Sequence, residues 1–544
     1  MPCYRIITIV LTLIYALTAS VSSFAQKRIP PERPKLIIGI IVEQMNTDDL
    51  FKYWDKFENN GLKRLVNEGA LCKNARYDFY NTQSLPGAAT IATGCNPSVH
   101  GIVADFWPDI ESGTVIPACG NGNYKSTGNF SVNSPGSPAN LLTATIGDEL
   151  KLFSNGKSTI ISISLNPGMS IILGGHAADA AYWFDYKTGC WISNSYFLDS
   201  LPDWVNKFNA KGLASVYTGK EWKSLLPVSE YNESVNISNA GNSGDQGYFS
   251  YLLKSPKDKV QSYGILAETP FGDNLVKDFA IDAIVSETLG KHAYPDIIFI
   301  TFSSTFQISN KFGRLSAELE DCYLRVDREI AHLLQFLDEN IGKENLVLYL
   351  TSCHGSPNDA ELLKKNNIPS SDFDVDKAMV LLKAYLNAIY RPGDWVKKYY
   401  NGQIFLNHNL IEDSKIQIDV FRKNVAEFMN QFSGVAAAIT ADYGAKGLTT
   451  ASDLEKVRNN NYRKRCGDVF VILEPGWYEK NGRPEGAKTV NCPFVPLIWY
   501  GWKLNRTMVN RRVSITDIVP TLANFLNIRR PEGCTGEPIT ELSE

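Results

Sequence analysis

The chain alternates short apolar runs with amphipathic segments. The run Leu36–Val42 is continuously hydrophobic and bounded by polar residues, as in a strand buried on both faces of a parallel sheet. Similar runs occur at 159–165, 296–303, 346–351, 469–473 and 495–500. Residues 317–337 place apolar side chains at helical spacing, with charged residues on the opposite face. This alternation predicts an α/β fold with a doubly wound, mostly parallel sheet and helices on both faces.

Two long stretches interrupt this alternation and predict insertions that cap the sheet. Residues 187–289 are rich in aromatic residues, Asn, Ser and Gly, and residues 356–465 hold helix-like segments between Pro and Gly breaks. We expect one domain over residues 36–544 that carries both insertions. The aromatic residues at about 182–251 are candidates for binding a protein or a glycan, although such residues more often form a local core.

The N-terminus has the pattern of an export signal. Arg5 precedes an apolar stretch over residues 6–21, and small residues at 23 and 25 offer a cleavage site. We therefore expect a signal peptide over 1–25, a linker over 26–35 and a bacterial protein that is periplasmic or extracellular. An uncleaved anchor is the alternative. No other run approaches about 18 apolar residues, so no membrane span is expected in the mature chain.

Composition narrows the classes of partner and site. Among 544 residues, Lys plus Arg number 54 and Asp plus Glu number 58, so the strongly basic signature of a nucleic-acid-binding protein is missing. The chain has six histidines, which limits any metal site built on imidazole. Its ten cysteines form no C-x-x-C pair, so the usual structural zinc and thioredoxin-like signals are absent. Export favours some disulfides, whose pairing the sequence leaves open.

Two sequence segments carry a family resemblance. Residues 93–102 read Thr-Gly-Cys-Asn-Pro-Ser-Val-His-Gly-Ile, and residues 516–526 read Thr-Asp-Ile-Val-Pro-Thr-Leu-Ala-Asn-Phe-Leu. With them the chain resembles the alkaline phosphatase superfamily, in its branch of exported phosphomonoesterases and nucleotide pyrophosphatase/phosphodiesterases. The resemblance implies an alkaline phosphatase-like fold, and a site at the strand ends where two zinc ions activate a Ser or Thr nucleophile.

Three residues match functional positions of the family. Ser84 matches the nucleophile and would open a helix, where free backbone N–H groups favour an anion. Glu43 matches the first-strand metal ligand with a side chain one methylene longer, and His354 matches a zinc-binding His unchanged. Each has a structural alternative: a helix N-cap for Ser84, a hydrogen-bonding residue for His354, and a solvated or residual carboxylate for Glu43.

The other metal-ligand positions carry different side chains. One family segment supplies an Asp and a His, which match Phe306 and Asn310. The Asp before His354 matches Cys353, and the last zinc-binding His matches Phe494. Phenyl rings do not coordinate cations, and we expect both rings to fill space that a metal would occupy.

The phosphate-binding side chains that the resemblance implies are also replaced. An Asn of the family matches Asp105, and a Lys-x-Arg element matches Asn166-Pro167-Gly168. A carboxylate therefore stands where a phosphate oxygen would be received, and two positive charges are missing. We expect this site to repel anionic substrates.

These losses decide the functional prediction. A zinc ion lowers the pKa of a bound water from about 15.7 to about 7, which is on the order of 11 kcal/mol of nucleophile activation. Ser84 has no evident substitute base in the sequence. We therefore predict a catalytically degenerate phosphatase, or pseudophosphatase, that binds no cofactor and acts as a binding or scaffold protein for a protein or glycan partner.

Two alternatives remain open. One is an active phosphomonoesterase or phosphodiesterase that uses Ser84 with an altered metal set. The other is a repurposed site in which Cys353, His354, Cys492 and Glu43 bind one zinc ion, since thiolate, imidazole and carboxylate are the usual zinc ligands.

Overall fold

The apolar runs of the sequence form the strands of a large central sheet. The computed structural model describes residues 32–120, 124–128, 136–232, 249–253, 263–356, 363–364, 367–443, 445–447, 450–480 and 492–542. The expected signal peptide and most of the expected linker lie outside the described residues. The strands are β1 (Leu36–Val42), β2 (Ala70–Arg76), β3 (Phe106–Pro108), β4 (Val115–Pro117), β5 (Ser126–Thr127), β6 (Ile160–Ser164), β7 (Ala180–Asp185), β8 (Cys190–Asn194), β9 (Glu221–Lys223), β10 (Ser250–Leu252), β11 (Asp296–Phe302), β12 (Leu346–Thr351), β13 (Ser371–Phe373), β14 (Val396–Tyr400), β15 (Gln403–Leu406), β16 (Val435–Thr440), β17 (Ala445–Gly447), β18 (Val469–Leu473), β19 (Trp477–Glu479), β20 (Ile498–Gly501) and β21 (Thr507–Ser514).

Ten of these strands form the central sheet, in the order β21-β2-β20-β12-β1-β11-β6-β7-β8-β5. β1 lies between β12 and β11 and is parallel to both, and β6 and β7 continue the parallel part. β20 runs antiparallel between β12 and β2. The predicted α/β fold with a mostly parallel sheet is therefore confirmed.

Helices connect the strands and cover the sheet. They are α1 (Thr47–Lys52), α2 (Leu62–Glu68), α3 (Ser84–Thr93), α4 (Pro97–His100), α5 (Ile146–Phe153), α6 (Pro167–Gly174), α7 (Asp203–Ala210), α8 (Leu213–Thr218), α9 (Phe271–Ser286), α10 (Ser304–Phe312), α11 (Ala317–Asn340), α12 (Val375–Ile389), α13 (His408–Asp413), α14 (Ile418–Met429), α15 (Ala451–Asn460) and α16 (Ile518–Leu526). The helix predicted over 317–337 is α11, which extends three residues further.

The core explains why β1 is apolar along its whole length. Ile38 and Ile40 belong to one buried cluster, while Ile37 and Ile41 belong to another. Successive side chains of a strand point to opposite faces, so the two clusters lie on the two faces of the sheet. Residues of α11 pack in the first cluster and residues of α3 in the second. Both faces are therefore covered, as a parallel sheet requires.

A second, antiparallel sheet corrects one sequence-based assignment. Its order is β14-β15-β18-β16-β17, so β18, which the apolar pattern placed in the central sheet, belongs here instead. Val469 and Val471 pack in one cluster and Phe470 in another, because this small sheet is also covered on both faces. Strand burial alone does not reveal which sheet a strand joins.

The aromatic residues of the first predicted insertion are largely internal. Tyr182, Trp191 and Trp222 are almost fully buried, and the Trp191 ring stacks on Phe279 with 4.4 Å between ring centroids. β8 lies within this stretch and pairs with β7 in the central sheet. These described aromatic residues therefore form local core. From Pro34 to Glu544 the chain forms one compact unit, and no helix in its described parts is long and apolar enough to cross a bilayer.

Candidate functional site

Glu43 lies at the carboxyl end of the central sheet. Glu43 follows β1 directly, and its backbone N–H donates to the carbonyl of Phe302 at the end of β11, 2.9 Å away. The next residue, Gln44, has a φ of 63°, a left-handed conformation that non-glycine residues rarely adopt. The chain turns away from the sheet at this point, while the Glu43 side chain stays almost fully buried. The alternative of a solvated carboxylate is therefore wrong for Glu43.

Ser84 lies opposite this carboxylate at the start of α3. The helix begins at Ser84 as predicted, but Gln83 is the N-cap residue. The Ser84 hydroxyl donates to Oε1 of Glu43 over 2.8 Å, and the residue is only 5% exposed. The alternative of Ser84 as an N-cap is therefore wrong. Ser84 is a buried hydroxyl that points at Glu43.

His354 approaches the same hydroxyl from the end of β12. Its Nε2 lies 3.4 Å from the Ser84 Oγ, and its Nδ1 lies 2.8 Å from the carbonyl oxygen of Gly355. A carbonyl only accepts, so the hydrogen bonding assigns the proton to Nδ1 and leaves a lone pair on Nε2. Burial lowers the pKa of His354, which favours this neutral form. A hydrogen-bonding role for His354, the structural alternative given above, agrees with this geometry.

The environment of Glu43 changes its acidity. Burial raises the pKa of Glu43 to about 7, and the charge of Asp105 adds to the increase. Hydrogen bonds from Ser303, Ser84 and Cys353 act in the opposite direction but do not offset the burial. Glu43 is therefore partly protonated near neutral pH. The negative charge of its neighbour Asp105 disfavours ionisation of Glu43 further.

The thiols of the two cysteines in the repurposed-site alternative have different neighbours. The Cys353 thiol donates to Oε1 of Glu43 at 3.8 Å, and burial raises the pKa of this thiol well above its ordinary value. Burial also raises the pKa of Cys492 to about 12, and the nearby charge is that of Arg314. In the described part of the chain, no three His, Cys, Asp or Glu side chains form a group able to bind a metal. Glu43, Cys353 and His354 thus lie near Ser84, and the Cys492 carbonyl accepts the Gly355 N–H over 2.9 Å, so all four residues lie at the expected edge of the sheet.

The two phenylalanines at former ligand positions also behave differently. Phe306 presents its ring edge-on to His354, with 5.9 Å between ring centroids and an interplanar angle of 89°. Phe494 is 49% exposed, and its ring lies over the Arg76 guanidinium. Asn310 is exposed on α10. The expectation that both rings fill metal space is therefore wrong for Phe494, while Phe306 does lie beside the remaining imidazole.

The donor set does not fit the two zinc ions that the resemblance implies. Glu43 and His354 remain as ligands, and each already contacts the Ser84 hydroxyl. A zinc ion is usually bound by three or four protein ligands, so one carboxylate and one imidazole are too few for a pair of ions. Phe306 adds an apolar ring beside the imidazole instead of a ligand.

The phosphate-binding side of the site is acidic and carries no replacement cation at the two matched segments. Oδ1 of Asp105 accepts the Leu85 N–H over 2.8 Å, at the N-terminus of α3. Asn166 caps α6 by accepting the Gly168 N–H over 2.9 Å. A Cβ on Gly168 would lie 3.0 Å from the Leu85 side chain, so this turn is next to the start of α3. Where the family has a Lys-x-Arg element, this chain thus has an uncharged helix cap next to the start of α3.

One further carboxylate near the site was not found from the sequence. Asp273 in α9 is buried, and its Oδ1 accepts the backbone N–H groups of Ser303 and Ser304, where α10 begins. Burial raises the pKa of Asp273 to about 7, and Glu43 contributes to the increase. Asp273 lies in a long amphipathic helix far from the other motifs along the chain. No local pattern marks its position behind the Ser303–Ser304 turn.

His100, in the family-like segment 93–102, has a structural role. It is fully buried, its Nδ1 accepts the Ile102 N–H over 3.1 Å, and its Nε2 lies 3.2 Å from the Thr90 hydroxyl. Burial lowers the pKa of His100 to about 3. The imidazole is therefore neutral and holds the loop after α4 against α3.

Comparison with known proteins places this geometry in a family. The family model described as type I phosphodiesterase / nucleotide pyrophosphatase matches residues 37–492. A protein of Myroides odoratus named calcium-transporting ATPase is 34% identical over 532 residues, which cover 94% of this chain and 95% of that protein. Alkaline phosphatase PafA of Elizabethkingia meningoseptica is 31% identical over 528 residues, covering 95% and 96% of the two chains.

A solved structure agrees with these matches. The crystal structure of wild-type alkaline phosphatase PafA has a TM-score of 0.85 with this chain and 29% identity, and the match covers 94% of this chain and 99% of that one. The chain therefore belongs to the type I phosphodiesterase / nucleotide pyrophosphatase family of the alkaline phosphatase superfamily.

Proposed function

We propose that this chain is an alkaline phosphatase-like binding or scaffold protein that does not hydrolyse phosphate esters by the two-zinc route. One observation carries the proposal: the Phe306 ring stands against His354 at a position where the family supplies a zinc-binding Asp. The imidazole thus has an apolar neighbour in place of a second ligand. Glu43 and His354 form a donor set too small for two ions.

The chemistry of Ser84 supports the same conclusion. A hydroxyl with a pKa near that of water, about 15.7, needs strong activation before it attacks phosphorus. Glu43 accepts its hydrogen bond, but a base with a pKa of about 7 ionises a hydroxyl with a pKa of about 15.7 only to a very small extent. Neutral His354 contributes only a lone pair at 3.4 Å. Neither group replaces the activation that a metal ion provides.

Charge around Ser84 is also unfavourable for phosphate. Glu43 contacts the hydroxyl, and Asp105 binds the backbone of the adjacent residue, Leu85. Both groups are ionised above about pH 7, given their pKa values of about 7 and about 6. Two negative groups next to the nucleophile oppose the approach of a phosphate dianion, which the family's missing Lys-x-Arg element would attract.

The proposal is tested by metal content and hydrolysis measured on one preparation. The purified chain and Ser84→Ala are loaded with zinc, dialysed and analysed for bound metal. Both are then assayed with p-nitrophenyl phosphate and bis-p-nitrophenyl phosphate. We expect fewer than two tightly bound ions and the same background rate for both proteins. Zinc-dependent turnover that disappears in Ser84→Ala would overturn the proposal.

A second candidate function is a phosphoesterase with an altered metal set. It is favoured by the placement of Ser84 at the start of α3 within reach of both Glu43 and His354, and by full-length similarity to a protein named alkaline phosphatase. This candidate predicts that one divalent ion, added singly to the metal-free protein, restores turnover. It also predicts that Glu43→Ala and His354→Ala both abolish that turnover.

We further infer export to the periplasm or the medium, from the charge and hydrophobicity of residues 1–25. The intact mass of the protein expressed in a bacterial host tests this directly. Export predicts a chain that begins at Gln26, whereas a retained anchor predicts the full-length mass in the membrane fraction. The partner class remains a protein or a glycan, and the balanced charge of the chain argues against nucleic acid.

A further inference from the structure

A hydroxyl, an imidazole and a carboxylate form a linked group at the edge of the central sheet opposite the candidate site. Thr288 and His292 lie in the segment between α9 and β11, and Asp296 is the first residue of β11. Asp296 pairs with Leu36, the first residue of β1, whereas Glu43 follows the last residue of that strand. A strand of this length spans roughly 20 Å, so the two groups are separate features of the fold.

Both nitrogens of the His292 imidazole take part in this group. The Nδ1 atom lies 2.8 Å from Oδ2 of Asp296, and the Nε2 atom lies 2.9 Å from the hydroxyl oxygen of Thr288. A carboxylate only accepts, so the neutral ring carries its proton on Nδ1 and its Nε2 lone pair accepts from the Thr288 hydroxyl. In this geometry an imidazole can remove the proton of a nucleophilic hydroxyl.

Backbone groups fix the Asp296 carboxylate independently of the imidazole. Asp296 is fully buried, its Oδ1 accepts the Thr159 N–H over 2.8 Å, and its Oδ2 accepts the Gly290 N–H over 2.9 Å. These contacts orient the same oxygen that faces His292. Because the hydrogen bond at one ring nitrogen sets the protonation of the other, Asp296 holds both the tautomer and the orientation of His292.

Thr288 has a backbone conformation that β-branched residues rarely adopt. Its φ is 51°, in the left-handed region, and the residue is exposed. Its N–H donates to the Val285 carbonyl over 3.2 Å, and its carbonyl accepts the Lys291 N–H over 3.1 Å, so the surrounding turn enforces this conformation. Strained residues of this kind are frequent at catalytic sites. The turn holds Thr288 at the surface, where a dissolved ester can reach it.

We propose that Thr288 is the nucleophile of a site that hydrolyses small carboxylic esters, with His292 as its general base and Asp296 as the residue that positions His292. The Thr288 oxygen bonds to the ester carbonyl carbon while its proton passes to Nε2 of His292. The bond from that carbon to the alkoxy oxygen then breaks, and the proton moves from His292 to the leaving alcohol.

Water completes the reaction. His292 takes a proton from a water molecule, whose oxygen attacks the threonyl ester and releases the carboxylic acid, and the proton returns to the Thr288 oxygen. One ester and one water thus give one acid and one alcohol. This activity goes beyond the proposed function, which concerns phosphate esters and Ser84, and it requires no oxidant or reductant.

Turnover of p-nitrophenyl acetate by the full chain tests the inference. Steady-state release of p-nitrophenolate is compared among the wild type, Thr288→Val, which keeps the branched shape without the hydroxyl, and His292→Gln. We expect rates at least about a hundredfold lower in both variants, the contribution of a general base. Mass spectrometry of acid-quenched wild type should locate an acetyl group on Thr288. Ser286→Ala, which removes an exposed hydroxyl at the end of α9, is the matched control and should keep the wild-type rate.

The positioning role of Asp296 has its own measurement. Proton–nitrogen NMR correlations of the His292 ring distinguish its two neutral tautomers. We expect the Nδ1–H tautomer to predominate in the wild type and to lose that predominance in Asp296→Asn, with slower ester hydrolysis. An unchanged tautomer in folded Asp296→Asn would overturn this role.

Three results would overturn the ester-hydrolysing site. They are a wild type without turnover, folded Thr288→Val with the wild-type rate, and acetylation confined to residues other than Thr288. If Thr288→Val does not fold, Thr288→Gly replaces it with the same expected loss, because glycine adopts a positive φ without strain. Zinc-dependent hydrolysis of phosphate esters through Ser84 would overturn the proposed function and leave this result unchanged, so the two failures are distinguishable.

Discussion

The Ser84 hydroxyl donates its hydrogen bond to Oε1 of Glu43 at 2.8 Å, so the candidate nucleophile is held by a carboxyl group that is itself almost fully buried. This relationship links the stability of the site to pH. Burial raises the pKa of Glu43 from 4.5 to about 7, so the folded protein binds this proton more tightly than the unfolded chain does. Glu43 therefore contributes least to stability when it is ionised.

Glu43→Gln should remove this pH dependence. The folded chain loses stability as pH rises from about 4.5 to about 7, and the loss is complete above that range, on the order of 3 kcal/mol. Gln keeps an acceptor for Ser84 without a charge. We expect the variant to be more stable than wild type at pH 8.5 and close to it at pH 4.5, measured by urea unfolding. An equal difference in the free energy of unfolding at both pH values would contradict this prediction. Glu537→Gln, which changes an exposed side chain, is the control and should leave the pH dependence of stability unchanged.

Phe306→Asp should increase zinc affinity, since it places a carboxylate beside His354. With Glu43 nearby, the variant would offer a third potential ligand for a single ion. We expect at least tenfold tighter zinc binding than wild type, measured by competition with a chromogenic chelator. Phe51→Asp, at an exposed position on α1, should leave affinity unchanged. Unchanged affinity in a folded Phe306→Asp protein would show that His354 is not available to a metal.

Gly87→Ala should disturb the contact between α3 and the end of β12. A Cβ at Gly87 would lie 1.9 Å from the Cys353 carbonyl oxygen, so the helix or the strand end must move. We expect a loss of about 2–3 kcal/mol in the free energy of unfolding. Gly219→Ala is the matched control, because a Cβ there meets nothing closer than 3.5 Å and the backbone has an ordinary φ of −84°. Equal stability of the two variants would contradict the prediction.

His408→Gln should weaken the smaller sheet at mildly acidic pH. The His408 Nε2 lies 2.8 Å from Asp468, whose carboxylate also binds Arg422, and this contact raises the pKa of His408. The stabilisation is complete below about pH 6.5 and disappears as pH rises through the folded-state pKa. Because His408 is largely exposed, we expect a loss of at most about 1 kcal/mol at pH 5.5 and none at pH 9. The control His176→Gln, also at an exposed position, should leave the free energy of unfolding unchanged at both pH values. A loss of stability by His408→Gln at pH 9 would exclude the charge-based explanation.

The sequence predicted the central sheet because its determinants are local. The run of β1 is apolar at every position, as a strand covered on both faces must be, and Ser84 follows a polar segment where α3 begins. The apolar run of β18 was equally clear, but pairing partners are set by contacts far along the chain. Its assignment to the wrong sheet follows from that difference.

The sequence predicted only those site residues that occupy positions of a recognisable motif. Glu43, Ser84 and His354 were found because each matches one position of a motif and each directly follows or begins an element. The sequence did not reveal that Asp105 binds the Leu85 N–H, or that Phe494 turns outward over Arg76. Both depend on side-chain direction. Asp273, in α9, gave no local signal at all.

The buried clusters on the two faces of β1 stabilise the fold independently of the residues at the strand ends. Ile37 and Ile38 face opposite clusters that are closed by hydrocarbon, so rigidity in the middle of the molecule does not depend on bound ions. Such a framework tolerates exchange of the residues at its rim. Replacement of catalytic residues at the strand ends therefore need not unfold a protein with this core, and the folded surface remains able to bind a partner.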